Sequence, residues 1–202
     1  MTIEELYQKL IDKEFRDPAT GSLFYPVYVY LYPAESEYRI REEITNLEER
    51  LQRPNDFIQA CIFDIFELFL EYLKITPFGK QGTLYDLHIK LESEKNPQAL
   101  GLLKDDANSK EFNSFIDNSI KKVLQLPSPM DKAYVILHGF GKIFPYLRVN
   151  KFLSHFEEFI KDQYKLIIFY PGVLKDNLSL FGILEDEHHY RSIYLINEEK
   201  AI

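Results

Sequence analysis

Apolar positions along the chain switch repeatedly between a helical period and short continuous or alternating runs, and that switching predicts its elements. Leu6, Tyr7, Leu10 and Ile11 recur at helical spacing behind Thr2, a candidate N-cap, so the first 14 residues read as an amphipathic helix. Asp17, Pro18 and Gly21 mark a turn-rich link, and Leu23 to Tyr32 is an aromatic and β-branched run stopped by Pro33, a strand. Ile40, Ile44, Leu47 and Leu51 then carry a helix that runs from Ser36 to Pro54. Phe57 to Phe63 is near-continuously apolar, as a strand buried on both faces would be. Asp64, followed at the third residue by Glu67, opens the next helix, which Phe66, Phe69, Leu70 and Leu73 turn inward.

The middle of the chain is less periodic. Thr76 to Thr83 reads as a flexible connection, Leu84, Leu87 and Leu91 as a helix, and Asn96 to Ser109 as a polar loop. Phe112, Phe115, Ile116, Ile120 and Val123 form another helix, closed by Pro127 to Pro129. Ala133 to Leu137 is a strand, His138 to Phe144 a glycine-containing turn, and Pro145 stands where a helix takes proline at its first position. That helix buries Leu147, Phe152, Leu153, Phe156 and Ile160. Lys165 to Tyr170 is a strand cut by Pro171 and Gly172, and Tyr190 to Ile196 is the last one. Strands that alternate with helices imply parallel pairing through right-handed crossovers. The expected fold is α/β: one domain over residues 1–202, three layers, a mainly parallel sheet of about five strands with helices on both faces, and a helical insertion at about 76–129.

Composition narrows the class. The chain holds 30 aromatic residues (Phe 16, Tyr 14, Trp 0) against only 8 glycines, and it is 46% hydrophobic, which excludes disordered and low-complexity chains. A net charge of -8 disfavours a general grip on nucleic acid or anionic lipid. The single Cys61 lies inside an apolar run, where it should be inert, and fits a reducing cytoplasm. No uncharged stretch reaches the roughly 18 to 20 residues of a membrane helix, and the N-terminus lacks an apolar signal core. A cytoplasmic protein with no membrane contact is the expectation.

In a parallel sheet the loops that follow the strands gather on one edge, the default ligand or partner site. The alternating order resembles a P-loop nucleoside triphosphatase core, yet the turn after the first strand reads Pro33-Ala34-Glu35-Ser36-Glu37 and holds no Walker A motif. Its carboxylates would repel phosphates. Gly139-Phe140-Gly141-Lys142 precedes a helix, and residues 132 to 156 contain Lys142, Arg148 and Lys151 but no acidic residue. Two readings follow. Gly139, Gly141, Lys142 and Arg148 form an anion site, or the glycines permit a tight turn and Arg148 pairs with Asp64 or Glu67. Asp64, Glu67 and Glu71 share a helix face and could hold a divalent ion, although capping and solvation explain them more cheaply. Glu185 to His189 collects acidic and histidine side chains but reads as a solvated turn. His88, His138 and His155 belong to no triad pattern, and only His138 stands at a strand end. No catalytic residue, metal site or cofactor is expected. An aromatic precedes proline at Tyr25, Tyr32, Phe144 and Tyr170, either as a strand-terminating plug or as a crevice lining. The second reading makes Tyr32, Arg41, Tyr146, Arg148 and Tyr170 candidate partner-binding residues.

Several blocks carry a resemblance. These are Phe24-Tyr25-Pro26, Tyr32-Pro33, Arg41-Glu42-Glu43, Ile65-Phe66-Glu67, His138-Gly139-Phe140-Gly141, Phe144-Pro145-Tyr146-Leu147-Arg148, Phe169-Tyr170-Pro171-Gly172, Leu178-Ser179-Leu180-Phe181-Gly182 and Tyr190-Arg191. In this order they resemble the BrxB family of the BREX bacteriophage-defence systems. The resemblance implies a component of a multi-protein system that tells host DNA from phage DNA by methylation. It transfers no catalytic activity. It implies an assembly role among a methyltransferase, a large ATPase and the alkaline-phosphatase-like PglZ, with PglZ the first-named partner. The alternative, which stands apart from the resemblance, is a degenerate nucleotide- or nucleic-acid-binding domain using the Gly139 to Arg148 turn.

Overall fold

The computed structural model describes residues 1–16, 27–53, 57–80, 82–124, 133–160, 164–174, 178–181, 183–185 and 193–195. Helix α1 (Ile3–Ile11) starts at a reciprocal capping box: the Glu5 N–H donates to the Thr2 hydroxyl (3.2 Å) and the Thr2 N–H to the Glu5 carboxylate (2.6 Å). A single turn, α2 (Lys13–Arg16), follows. The turn-rich link and the first residues of the expected first strand, 17–26, lie outside the described residues. Next come β1 (Val27–Tyr32), α3 (Glu37–Leu51), β2 (Gln59–Asp64) and α4 (Ile65–Ile75). The small hairpin β3 (Pro77–Phe78) and β4 (Gly82–Thr83) leads into α5 (Leu84–Ser93), α6 (Ala99–Ala107) and α7 (Lys110–Val123). The chain continues through β5 (Ala133–His138), α8 (Phe140–Ile143), α9 (Val149–Phe156), β6 (Tyr164–Leu174), β7 (Leu178–Leu180), β8 (Leu184–Glu185) and β9 (Ile193–Leu195). Among the described residues no helix is long and apolar enough to cross a membrane.

Five strands lie in the order β2-β5-β6-β1-β9, each parallel to its neighbours on this path. Strands β7 and β8 extend β6 as an antiparallel meander. The chain leaves β1, crosses β6 and β5 to reach the far edge at β2, and returns; after β6 it passes β1 to reach β9. Connections from β1 and β6 therefore depart in opposite directions, and their carboxyl ends form the switch point where such sheets open a crevice. The turn after β1, where a phosphate-binding loop would sit, is a 3-10 turn over Ala34–Ser36.

Strand parity divides the core. In β1, Val27 and Val29 face α4, α7, α8 and α9, while Tyr28, Tyr30 and Tyr32 face α1 and α3. Helices cover both faces, so no parity of an inner strand meets solvent. Tyr30 and Tyr32 stay compatible with burial because their hydroxyls reach a backbone acceptor and a carboxylate. Tyr30 donates to the Met1 carbonyl (2.9 Å) and Tyr134 to the Leu10 carbonyl (2.7 Å).

Four expectations are corrected. Strand β2 is an edge strand and half-buried, not buried on both faces; Gln52 of α3 donates to its outward Ala60 carbonyl (3.0 Å), which blunts the free edge. The stretch read as a loop at 96–109 contains α6, which buries only Ala99 and Ala107 and so shows no helical stripe in sequence. It is tied to α5 by His88 Nε2 and Asp106 Oδ2 at 2.6 Å. Pro171 and Gly172 do not end β6: Pro171 pairs in register with Tyr32, and Gly172 with Leu180 of β7. Pro145 does not open a helix, because the residues after β5 first form α8, and α9 begins at Val149 with Arg148 as N-cap. Helices α5, α6 and α7 lie in the crossover from β2 to β5, and α7 sends Phe112, Ile116 and Ile120 into the core.

Candidate functional site

Two charged groups meet at the carboxyl edge of the sheet. The first is centred on Asp64, the last residue of β2, which lies opposite His138 at the end of β5. Asp64 Oδ1 accepts the Phe66 N–H (3.0 Å) and the Glu67 N–H (3.4 Å), which caps α4. Its Oδ2 accepts from Lys142 Nζ of α8 at 2.5 Å. His138 Nδ1 lies 3.7 Å from the same oxygen, beyond hydrogen-bond reach, and is buried without another hydrogen-bond partner. Gly139 makes this possible in two ways. Its φ is +86°, and a Cβ in its place would overlap Asp64 Oδ1 and lie 2.9 Å from Asp64 Cγ.

The second group is built on the first turns of α3. Tyr32, the last residue of β1, donates its hydroxyl proton to Glu37 Oε2 at 2.5 Å. Arg41, one turn on, holds Glu37 Oε1 through Nε and Nη2, each at 2.9 Å. Burial, and then the bond to Glu37, pushes the Tyr32 phenol well above its ordinary pKa. The groups lie close enough for His138 to feel Asp64, Lys142, Glu37 and Arg41 together. Desolvation dominates, helped by the two cations, and lowers the His138 pKa despite both carboxylates.

That shift has a direction in stability. A histidine pKa depressed on folding leaves stability intact above the unfolded value of about 6.5 and removes it as pH falls from there through the folded pKa. Thermal melts from pH 7.5 down to 5 should therefore fall more steeply for the wild type than for His138→Gln. Parallel curves would show that His138 does not resist protonation.

The nominated residues are only partly brought together. Tyr32 is 3% exposed and Tyr170 0%, so neither ring faces a partner; this corrects their nomination as crevice lining. Both stand on inner strands whose two faces are covered. Arg41, Tyr146 and Arg148 are half-buried. Gly139 and Lys142 meet at one point, and the anion there is the chain's own Asp64 carboxylate. Lys142 is a cation on Asp64. Arg148 lies over the Phe144 ring, 5.6 Å from its centroid. Glu67 and Glu71 are exposed on α4, and among the described residues no three histidine, cysteine or acidic side chains gather as a metal set. Most of the Glu185 to His189 run lies outside the described residues. Burial pushes the Cys61 thiol up to about 12, far from a reactive thiolate. Sequence reading overlooked Glu37 as an organising group, although its i,i+4 spacing to Arg41 was a usable signal.

Comparison with known proteins gives a consistent answer. The family described as BREX protein BrxB matches residues 61–195, about two thirds of the chain. A BREX protein BrxB from Bacillus cereus (strain H3081.97) is 27% identical over 97% of this chain and 96% of its own length. A BREX protein BrxB from Escherichia coli O9:H4 (strain HS) is 25% identical over 84% of this chain and 77% of its own length. No solved structure matches significantly.

Proposed function

We propose a function from family membership: the chain belongs to the BrxB family of BREX proteins, and it serves the phage-defence system as a non-catalytic partner-binding subunit. The observation that carries the non-catalytic part is the state of the switch point. Its carboxylates are tied to neighbouring groups, Asp64 to Lys142 and Glu37 to Tyr32 and Arg41. A catalytic crevice instead aims perturbed groups at a space for substrate. Asp64 also caps α4, a structural duty that leaves neither carboxylate oxygen unengaged. The partner we name first is PglZ.

The test is co-purification. The full chain carries an affinity tag and is expressed with the complete BREX cluster of its host, and the eluate is resolved by gel filtration and mass spectrometry. PglZ is expected to elute with the chain as a stable complex. Elution of the chain free of every BREX protein, at several salt concentrations, would refute the assembly role.

A further inference from the structure

Strand β2 ends the parallel sheet, and among the described residues no other strand pairs with its outer side. Its sequence makes that edge adhesive. Phe57 to Phe63 reads Phe-Ile-Gln-Ala-Cys-Ile-Phe, a run without charge, proline or glycine. On a sheet edge, such a segment pairs readily with a copy of itself. Two copies of it laid antiparallel meet without a like-charge pair, so nothing in the run opposes the pairing.

Side chains of α3 occupy the edge instead. In an extended strand the N–H and C=O of one residue point to the same side and those of the next residue to the other, so Ala60 and Ile62 turn theirs outward together. Gln52 Nε2 donates to the Ala60 carbonyl at 3.0 Å. The Ile62 N–H donates to the Glu48 carboxylate. Glu48 and Gln52 are four residues apart, so they share one face at the end of α3. That end is fixed beside the strand, because the Ile58 N–H donates to the Leu51 carbonyl (2.8 Å) and the Gln52 N–H to the Glu48 carbonyl (3.1 Å). Burial raises the pKa of the Glu48 carboxyl, and Glu49 adds to the rise, against the Ile62 amide. Glu48 therefore keeps its carboxylate against the strand at a loss of solvation.

We propose that Glu48 and Gln52 are edge guards: by engaging the outward amide of Ile62 and the outward carbonyl of Ala60, they keep β2 from pairing with β2 of a second copy of this chain. The excluded partner is a second copy because the run is self-complementary. A two-fold axis sets the outward amides of each copy against the outward carbonyls of the other. This inference is independent of the partner-binding reading above, since the edge has to be closed whether or not the chain assembles with other proteins.

The experiment measures the mass in solution of the full chain and its variants by sedimentation velocity at rising protein concentration. Glu48→Ala/Gln52→Ala should approach twice the mass of the wild type at equal concentration. Glu48→Gln keeps an acceptor oxygen for the Ile62 amide and, with Gln52 in place, should match the wild type. Adding Ala60→Pro to the unguarded variant removes an outward N–H and should return the mass to the wild-type value. A wild-type mass for Glu48→Ala/Gln52→Ala, with circular dichroism and the thermal melt showing it folded, overturns the proposal. Association that persists with Ala60→Pro overturns it as well, because it uses another surface. If the double variant unfolds, Gln52→Ala alone, at an exposed position, carries the test. It is expected to associate at the upper end of the concentration range, and a wild-type mass throughout overturns the proposal.

Discussion

Gly139→Ala should lower stability by about 3–4 kcal/mol, one of the largest losses available outside the hydrophobic core. Holding a non-glycine residue at the Gly139 φ of +86° costs about 1–2 kcal/mol. The added methyl also displaces the Asp64 carboxylate it would overlap. That removes the cap on α4, worth about 1 kcal/mol, and weakens the hold on Lys142. For a chain of this size each kcal/mol moves the melting temperature by about 2–4 °C, so calorimetry should show a drop near 10 °C. Gly141→Ala is the control. Its Cβ would press on the Phe181 ring and Pro171 at 3.2 Å, and relief there needs only small displacements, so about 1 kcal/mol is expected. A Gly139→Ala melt within about 2 °C of wild type would mean that Asp64 is not held against the turn.

Asp64→Ala should cost about 3 kcal/mol and Asp64→Asn clearly less, because the two remove different things. Asparagine caps a helix about as well as aspartate, so Asp64→Asn deletes only the charge that faces Lys142. Alanine deletes the cap as well, and leaves the Phe66 N–H without the acceptor it has at 3.0 Å. In both variants the partly buried Lys142 ammonium loses its carboxylate, and an unpaired cation is more costly than no cation at all. Lys142→Met in the Asp64→Asn background should therefore recover part of the loss. Denaturant unfolding of the wild type, Asp64→Asn, Lys142→Met and the double variant measures the coupling. Equal losses for Asp64→Ala and Asp64→Asn, with no recovery by Lys142→Met, would remove the ion pair from the account.

Much of the fold can be read from the sequence, for reasons that differ by element. Helices α1, α3, α4 and α7 bury one apolar stripe each, so their period survives in sequence. The N-cap roles of Thr2 and Asp64 are local as well, since a cap needs only its own next turn. Helix α6 escaped notice because it lies on the outer layer and buries almost nothing. The course of β6 escaped because Pro171 ordinarily stops a ladder, yet the antiparallel β7 pairs with Gly172 beyond it and carries the strand on.

The site divides in the same way. The sequence by itself determined the α/β class, the edge on which the loops gather, the glycine turn followed by Lys142, and the absence of a phosphate-binding motif. These depend on residues close together in the chain. Tertiary structure alone decided which charges meet and which rings are hidden. Register across β2 and β5 sets Asp64 beside His138, and the path of α8 brings Lys142 to Asp64. Tyr32 and Tyr170 looked like crevice rings because they precede proline, yet they are buried because both faces of an inner strand are covered. Phe181 and Ile183, which carry no sequence signal of exposure, are exposed between the paired strands β7 and β8. Spacing in sequence fixes what a residue can do within its own helix or strand; only strand order and layer packing determine what it meets.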